Sequence, residues 1–263
     1  MIFNEIATIV SNERIADNIF EAKMISPKIS NVSMPGQFIN ILPNKNWPNV
    51  MRRPMSIASQ GDGSISIIYK IFGEGTKLIS KWQNGDSIDI IGPLGNKWSK
   101  YSSKIPVLIG GGVGIAPIIN FHKMLINKKI THMLIMGARS KGEHFMSHEP
   151  DKNIFLSTDI DDYGFKGNVI EALGKINYKL DNRYKIFTCG PPGMMKAVSN
   201  YAIKNKIDCD LALETIMACG IGICQGCTII KSSKSKNTYR NKYSLACIDG
   251  PIFNIKELDY AYI

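Results

Sequence analysis

Short apolar runs separated by turn residues dominate the first hundred positions of the chain. Glycine, proline and asparagine mark the turns, as at Asn84-Gly85-Asp86 and Gly92-Pro93-Leu94-Gly95. Six short strands at regular spacing predict a small closed antiparallel β-barrel over residues 1–100. The predicted strands cover residues 6–10, 19–24, 37–42, 56–58, 65–71 and 87–91.

The pattern changes to an alternation of strands and helices over residues 101–208. The predicted strands cover 105–109, 131–136, 154–157 and 185–188, and the predicted helices cover 115–127, 169–173 and 193–205. This order predicts a Rossmann-like parallel α/β sheet, in which ligands bind beyond the carboxyl ends of the strands. Residues 209–263 are predicted to form a small third module that carries a cysteine cluster. The expected fold is therefore multi-domain, combining β and α/β parts.

Composition removes several classes of function. The chain of 263 residues is 44% hydrophobic and 21% charged, as is typical of a globular protein. Its formal charge is +10, but it has no nucleic-acid-binding motif, so we expect no nucleic-acid partner. It has neither a signal-peptide pattern nor an apolar run long enough to span a membrane, and we expect a cytoplasmic location. The basic run at 231–242 is interpreted as a solvated hairpin loop, with docking to an acidic partner as the alternative.

Four cysteines near the C-terminus form the most specific chemical pattern. Three follow the spacing C-x4-C-x2-C and a fourth lies further on, which is how plant-type ferredoxins hold a [2Fe-2S] cluster. The interspersed glycines Gly220, Gly222 and Gly226 allow positive φ and close approach of the backbone in a tight loop. Zinc sites usually pair two CxxC or CxxH elements, whereas this run has one CxxC and a first gap of four residues, which favours the cluster over zinc. Zinc and structural or disulfide cysteines are the alternatives. The four cysteines are Cys219, Cys224, Cys227 and Cys247.

Two motifs in the barrel segment suggest an anionic, flat ligand. Arg53-Pro54-Met55-Ser56 places a guanidinium, which can clamp a pyrophosphate, near a hydroxyl that can hydrogen-bond a flavin ring. Gly73-Glu74-Gly75-Thr76 precedes a predicted helix at 76–82, whose first N–H groups can face a phosphate. Each motif alone is equally explained by a surface strand or a turn.

Two further motifs follow predicted strands of the α/β sheet. Gly110-Gly111-Gly112-Val113-Gly114 lies between a strand and a helix, the context in which a glycine-rich loop binds a dinucleotide, although it does not match G-x-G-x-x-G. Cys189-Gly190-Pro191-Pro192-Gly193 ends a later strand, and its small residues leave space for a flat ring. A tight turn and a buried thiol are the structural alternatives.

Together and in this order, the motifs resemble those of the ferredoxin–NADP reductase superfamily. Within it, three strings are similar to the electron transfer subunits of dihydroorotate dehydrogenase B, and the resemblance covers essentially the whole chain. They are Arg-Arg-Pro-x-Ser-Ile, Gly-Glu-Gly-Thr and Met-Ala-Cys-Gly-Ile-Gly.

The resemblance implies FAD and a [2Fe-2S] cluster as cofactors and NAD as co-substrate, with no general acid or base. The implied FAD residues are Arg53, Pro54, Met55, Ser56, Ile68, Tyr69, Lys70, Gly75 and Thr76. The implied NAD residues are Gly111, Gly112, Gly114, Cys189 and Gly190. All four cysteines named above would ligate iron.

The resemblance also implies a partner. An FMN-containing dihydroorotate dehydrogenase catalytic subunit would oxidise dihydroorotate in pyrimidine biosynthesis, and electrons would pass through this chain to NAD+. The implied assembly is a heterotetramer of two catalytic and two electron transfer subunits. The alternatives are a ferredoxin–NAD(P) oxidoreductase or diaphorase subunit, and a non-enzymatic iron–sulfur binding or sensing protein.

The sequence departs from this family's pattern at two places. Asp159-Ile160-Asp161-Asp162 stands where the family tends to have Asp-Asp-Gly-Ser, which leaves the preference between NAD and NADP open. The loop between Cys227 and Cys247 is longer and more basic than is usual.

Overall fold

The computed structural model describes residues 1–46, 51–101, 103–176, 180–232 and 242–259. Most of the basic run predicted to be a hairpin loop, residues 233–241, lies outside these ranges. In the described part of the chain, every helix is too short or too polar to reach across a membrane.

The N-terminal strands close into an antiparallel barrel in the order β1-β2-β5-β4-β3-β6. Isoleucines fill its interior, because inward-facing positions alternate along each strand and branched side chains pack well there. The predicted barrel is therefore confirmed. Its elements are β1 (Phe3–Ala16), β2 (Ile19–Ile25), α1 (Pro27–Val32), β3 (Phe38–Ile41), β4 (Arg53–Gly61), β5 (Ser64–Lys70), α2 (Glu74–Ile79) and β6 (Ser87–Leu94).

The following strands form a sheet in the order β10-β9-β8-β7-β11-β12-β15. All neighbouring pairs from β10 to β12 are parallel, which confirms the predicted α/β sheet. Its elements are β7 (Ile105–Gly111), α3 (Ile115–Asn127), β8 (Met133–Ala138), β9 (Ile154–Thr158), β10 (Phe165–Lys166), α4 (Val169–Lys175), β11 (Tyr184–Cys189), α5 (Pro192–Lys204) and β12 (Asp208–Ala212).

The cysteine segment is anchored to this sheet at both ends. Strand β12 precedes the cysteines, and β15 (Ile252–Asn254) follows them and pairs with β12 in antiparallel register. Between them, β13 (Thr228–Ile230) pairs with β14 (Tyr243–Leu245). The predicted boundary at residue 208 falls on the first residue of β12, and the predicted division into three domains stays a prediction.

One apolar core joins the three parts. Phe38 and Leu94 of the barrel belong to the same buried cluster as sheet residues such as Ile109, and the cluster continues to Cys227 and Cys247. Polar contacts add to it, since the Asn120 side chain on α3 donates a hydrogen bond of 2.9 Å to the carbonyl of Ile57 in the barrel. These contacts hold the barrel, the sheet and the cysteine segment against one another.

A buried ionic group lies at the amino-terminal ends of β11 and β12. The Nζ atom of Lys185 is 3.2 Å from a carboxylate oxygen of Asp208 and 3.2 Å from one of Asp210. The Lys185 side chain is 7% exposed and that of Asp210 is 2% exposed. Asn254 on β15 donates a hydrogen bond of 2.9 Å to each aspartate. This group ties three strands together at the sheet edge opposite the glycine-rich loops.

Candidate functional site

A cleft of about 270 Å³ opens between the barrel and the segment that follows β12. We call it the barrel cleft. Most of the predicted FAD residues line it, namely Pro54, Met55, Ser56, Ile68, Tyr69, Lys70 and Thr76. Its remaining lining is formed by Phe38, Ala116, Leu213, Glu214, Thr215, Met217 and Pro251. The fold therefore brings together residues that the sequence places in two separate motifs of the barrel.

Two adjacent arginines at the start of β4 have different surroundings. Arg52 is engaged by Asp89, with N···O distances of 3.0 and 2.9 Å in a bidentate pair. Arg53 instead lies beside α2: a β-carbon on Gly75 would be 2.9 Å from its Nε atom. The absence of a side chain at Gly75 thus lets the Arg53 guanidinium lie close to the start of α2. Arg53 is the arginine placed to bind an anion there.

The Thr76 hydroxyl organises the first turn of α2. It accepts hydrogen bonds of 2.9 Å from the N–H of Phe72 and 3.1 Å from the N–H of Gly73. The first N–H groups of any α-helix lack intrahelical acceptors. Near Arg53, the backbone of Gly75 and Thr76 therefore fits a phosphate better than the Thr76 hydroxyl does.

Tyr69 and Lys70 reach the cleft from the end of β5. The Tyr69 hydroxyl donates a 2.8 Å hydrogen bond to Asn12, and burial raises the pKa of Tyr69 to about 12, so the ring stays neutral. The Lys70 ammonium lies 2.7 Å from Glu143, which follows β8. Burial opposes ionisation of Glu143, but the hydrogen bonds from Lys70 and the Arg139 N–H, together with the positive charges of both residues, outweigh it and lower the pKa of this carboxyl. This ion pair connects the cleft to the α/β sheet.

The two glycine-rich loops of the sheet touch each other at its carboxyl edge. A β-carbon on Gly114 would lie 2.6 Å from the Cα of Gly190, and one on Gly111 would lie 2.5 Å from the sulfur of Met194. Gly112 adopts φ +55°, a region that favours glycine. The predicted NAD residues thus form one surface in which small residues keep the two backbones close.

Cys189 lies at the end of β11 beside this surface and is 3% exposed. Burial, and then the negative charge of Glu214, raise the pKa of its thiol. Because Glu214 also lines the barrel cleft, the nucleotide loops and the cleft are neighbours. Desolvation by the surrounding protein raises the pKa of Glu214 as well, although the residue is still partly exposed to solvent.

The four predicted iron ligands lie together as two pairs. The Cys219 thiol lies beside that of Cys224, and the Cys247 thiol lies beside that of Cys227. Among the described residues, no group of three or more His, Cys, Asp or Glu side chains converges on a position for a single metal ion. Four thiols grouped in two pairs fit the ligand set of a [2Fe-2S] cluster better than that of a single metal ion.

Backbone donors point at these sulfurs. The Cys219 sulfur accepts N–H bonds of 3.4 Å from Cys224 and 3.5 Å from Ile221. Burial opposes ionisation of Cys219, but these donors outweigh it and lower the pKa of its thiol. Because thiolates are the form that binds iron, the loop fits the chemistry of the predicted cluster.

The cysteine loop adopts positive φ at Gly220 (+71°) and Gly222 (+82°), the conformation that glycine allows. Gly226 does not adopt it, and the preceding Gln225 has a positive φ of 56°. A β-carbon on Gly226 would meet the Cys224 sulfur only at an ordinary contact distance of 3.7 Å.

Comparison with known proteins finds relatives that match both the cysteine segment and the α/β sheet. The model of the iron–sulfur cluster binding domain of dihydroorotate dehydrogenase B matches residues 214–259, and that of the oxidoreductase NAD-binding domain matches residues 108–200. The electron transfer subunit of dihydroorotate dehydrogenase B (NAD(+)) from Fusobacterium nucleatum is 32% identical, over 97% of this chain and 98% of that protein. The corresponding subunit from Bacillus pumilus is also 32% identical, over 95% and 96% of the two chains.

This chain belongs to the family of dihydroorotate dehydrogenase B electron transfer subunits. Membership confirms the prediction of an oxidoreductase subunit that uses FAD, a [2Fe-2S] cluster and NAD. The name of the family also implies that this subunit works with a catalytic partner.

Solved structures agree with the family. A structure of the NADH-dependent reduced ferredoxin-NADP oxidoreductase, described in connection with flavin-based electron bifurcation, matches with TM-score 0.83 and 29% identity, over 98% of this chain and 91% of that chain. Phthalate dioxygenase reductase matches with TM-score 0.62 and 14% identity, over 93% and 94% of the two chains, and supports the fold alone.

Several residues in or near the site were not predicted to have a role. Glu214 and Thr215 lie shortly before the first cysteine, and nothing in the sequence indicates that this segment returns to the barrel. Glu143, the partner of Lys70, lies in a segment with no motif. Asn40 is a lone polar residue in an apolar strand, and its contact with the cysteine loop is visible only in the fold.

Proposed function

We propose that this chain carries electrons from a dihydroorotate-oxidising partner subunit to NAD+ by way of a [2Fe-2S] cluster and FAD. The observation that carries this proposal is the shared wall of the barrel cleft. Barrel residues form one side of the cleft, and Leu213, Glu214 and Met217, which lead directly to Cys219, form the other. A flavin in the cleft would therefore contact residues that immediately precede the cysteine loop, and it would lie near that loop.

The residues divide the work by position. When bound, the cluster supplies one-electron transfer, and FAD supplies the exchange between single electrons and the hydride that NAD+ accepts. Arg53 and the first turn of α2 would bind the FAD pyrophosphate, and Ser56 and Tyr69 would hold the ring system. The remaining FAD assignments are Pro54, Met55, Ile68, Lys70, Gly75 and Thr76; NAD would be seated by Gly111, Gly112, Gly114, Cys189 and Gly190, and iron held by Cys219, Cys224, Cys227 and Cys247.

The proposed partner is an FMN-containing catalytic subunit, in a cytoplasmic assembly of two catalytic and two electron transfer subunits. Exposed apolar side chains surround the cysteine loop, which is a surface typical of a protein interface. These side chains are Ile216, Ile221, Ile223 and Ile248, exposed by 81%, 39%, 75% and 49%. Cys224 is exposed among them, whereas Cys227 and Cys247 are buried.

A ferredoxin–NAD(P) oxidoreductase subunit is the second candidate. It is favoured by the fold match at TM-score 0.83 to the NADH-dependent reduced ferredoxin-NADP oxidoreductase. The relatives at 32% identity instead carry a name that specifies dihydroorotate dehydrogenase and NAD(+), and we follow them.

The two candidates are separated by an assay of the assembled complex. The chain is co-purified with the FMN-type catalytic subunit of the same genome, and dihydroorotate-dependent reduction of NAD+ is followed at 340 nm, the NADH absorbance band. We expect NAD+ reduction by the complex, and NADH–dye reduction but no dihydroorotate oxidation by this chain alone. Dihydroorotate oxidation by the isolated chain would contradict the proposal, as would NADH oxidation that requires ferredoxin.

Replacing Arg53 with methionine should release FAD, because its guanidinium is the one that lies beside the first turn of α2. We expect FAD affinity to fall by roughly 10-fold or more, as for loss of a charge-assisted bidentate contact. The measurement is flavin retained after gel filtration. Arg52→Met is the matched control, since Arg52 is occupied by Asp89 and should keep its FAD. Equal flavin loss in both variants would argue against the assignment.

Replacing Ile223 with aspartate should weaken binding of the catalytic subunit. A charge at the centre of an apolar interface is left unpaired and desolvated, which typically raises Kd by about 30-fold or more. Ile126→Asp is the matched control, since Ile126 is 52% exposed on the last turn of α3. Titration calorimetry with the catalytic subunit measures both. Wild-type affinity for Ile223→Asp would exclude this surface as the interface.

A further inference from the structure

A barrel asparagine contacts the cysteine loop directly. Asn40 lies on β3, is 0% exposed, and its Nδ2 donates a hydrogen bond of 3.1 Å to the carbonyl oxygen of Cys219. Cys219 follows it by 179 residues, so the contact exists only because the barrel and the cysteine segment pack together. The carbonyl belongs to the first of the four iron ligands proposed above.

The carbonyl of Cys219 fixes the orientation of the Asn40 amide. Because a carbonyl oxygen only accepts hydrogen bonds, the NH2 group must face it, and Oδ1 must point the other way. In the described part of the chain, this fully buried Oδ1 has no hydrogen-bond partner. A buried polar atom without a partner lowers stability, and an apolar side chain of the same shape would avoid that cost. Packing alone therefore does not account for an asparagine here.

The loop is shaped around this side chain. Gly220 follows Cys219 with φ +71°, and a β-carbon on Gly220 would lie only 2.1 Å from the Asn40 Nδ2 atom. The amide thus occupies the space that any other residue at 220 would fill. Immediately afterwards, the N–H groups of Ile221 and Cys224 turn back to the Cys219 sulfur. The path of these donors depends on where the Cys219 peptide is held.

We propose that Asn40 is a positioning residue for the cluster: its hydrogen bond from the barrel to Cys219 holds the loop in the path that aims N–H donors at the ligand sulfur. The proposal rests on the proposed function, since it requires a [2Fe-2S] cluster at the four cysteines. Hydrogen bonds to cluster sulfurs set reduction potential, and groups that orient ligands control how firmly a metal is held. Asn40 would thereby couple the flavin-binding barrel to the properties of the cluster.

The test compares Asn40→Leu and Asn40→Asp with a matched control, Asn120→Leu. Asn120 is also a buried asparagine, 2% exposed, but it lies on α3 and donates its hydrogen bond to the barrel carbonyl of Ile57 and not to the cysteine loop. Each protein is purified with its cluster. The readouts are the electron paramagnetic resonance spectrum of the dithionite-reduced cluster and the rate of iron release to a chelator.

We expect both Asn40 variants to shift the spectrum and to release iron about 10-fold faster or more, as for other groups that orient metal ligands. The Asn120→Leu variant should lose thermal stability but keep the wild-type spectrum and release rate. If Asn40→Leu does not fold, Asn40→Asp, which keeps the size of the side chain, decides the comparison.

The outcomes separate the two levels of the proposal. Wild-type protein without a [2Fe-2S] spectrum would overturn the proposed function itself. Wild-type protein with the spectrum, together with Asn40 variants that match it in spectrum and iron release, would overturn only the role of Asn40. Equal changes in the Asn40 and Asn120 variants would also overturn it, because they would indicate a general effect of lost packing.

Discussion

Serine in place of Cys247 should abolish the cluster while leaving the flavin reaction with NADH largely intact. Cys247 is 1% exposed and pairs with Cys227, so its loss removes half of one of the two thiol pairs. We expect the visible absorbance of the cluster to disappear and electron exchange with the partner subunit to fall by about 100-fold or more. NADH–dye reduction should persist, because the barrel cleft and the glycine-rich loops contain neither residue. Iron analysis and the two assays measure these effects.

Cys209→Ala is the matched control for this variant. Cys209 is a fully buried thiol on β12, outside the two thiol pairs, so its removal leaves the iron ligands in place. It should lower stability slightly and keep the iron content of the wild type. A Cys247→Ser protein with normal iron content would contradict the ligand assignment.

Methionine in place of Lys185 should strongly destabilise the fold. It leaves the carboxylates of Asp208 and Asp210 buried without their central cation. Removing one partner of a buried ion pair typically lowers the free energy of unfolding by about 3–5 kcal/mol. Urea unfolding at neutral pH measures the loss. Because the group lies at the sheet edge opposite the nucleotide loops, NADH–dye activity of the folded fraction should be unchanged.

Lys104→Met provides the matched control. Its ammonium is 3.9 Å from Asp208 and the side chain is 34% exposed, so its loss should cost less than about 1 kcal/mol. Adding Asp210→Asn to Lys185→Met should recover part of the lost stability, since it removes one unpaired charge. If Lys185→Met is as stable as the wild type, or the second substitution brings no recovery, this account of the buried group is wrong.

The sequence predicted the architecture well where periodicity is strong. The helix at 115–127 has the predicted bounds, and the barrel closes as expected. Several short elements were missed, and two of them show the physical reason. Helix α1 (Pro27–Val32) has six residues, too few for a helical period to be visible. Strand β15 (Ile252–Asn254) has three, and it is a strand because β12 offers it an edge.

The candidate site was predictable where a motif carries its own chemistry. The spacing of the cysteines and the Arg53–Ser56 string lead to residues that the fold places together. Contacts between distant segments could not be predicted in this way. The different surroundings of the two adjacent arginines are an example. Arg52 is paired with Asp89, whereas Arg53 lies beside α2, and both neighbours are distant in sequence. Lys70–Glu143 and Asn40–Cys219 likewise depend on how the barrel packs against its neighbours.

The pairing of β12 with β15 has a mechanical consequence for the electron path. Both ends of the cysteine segment are fixed in the same sheet, and this pairing holds the described part of the segment in place. A cluster in this segment would stay at one position relative to the barrel cleft and would not move between two docking positions during electron transfer. The rate of electron transfer between flavin and cluster should then be independent of solvent viscosity. Only association with the catalytic subunit should depend on diffusion.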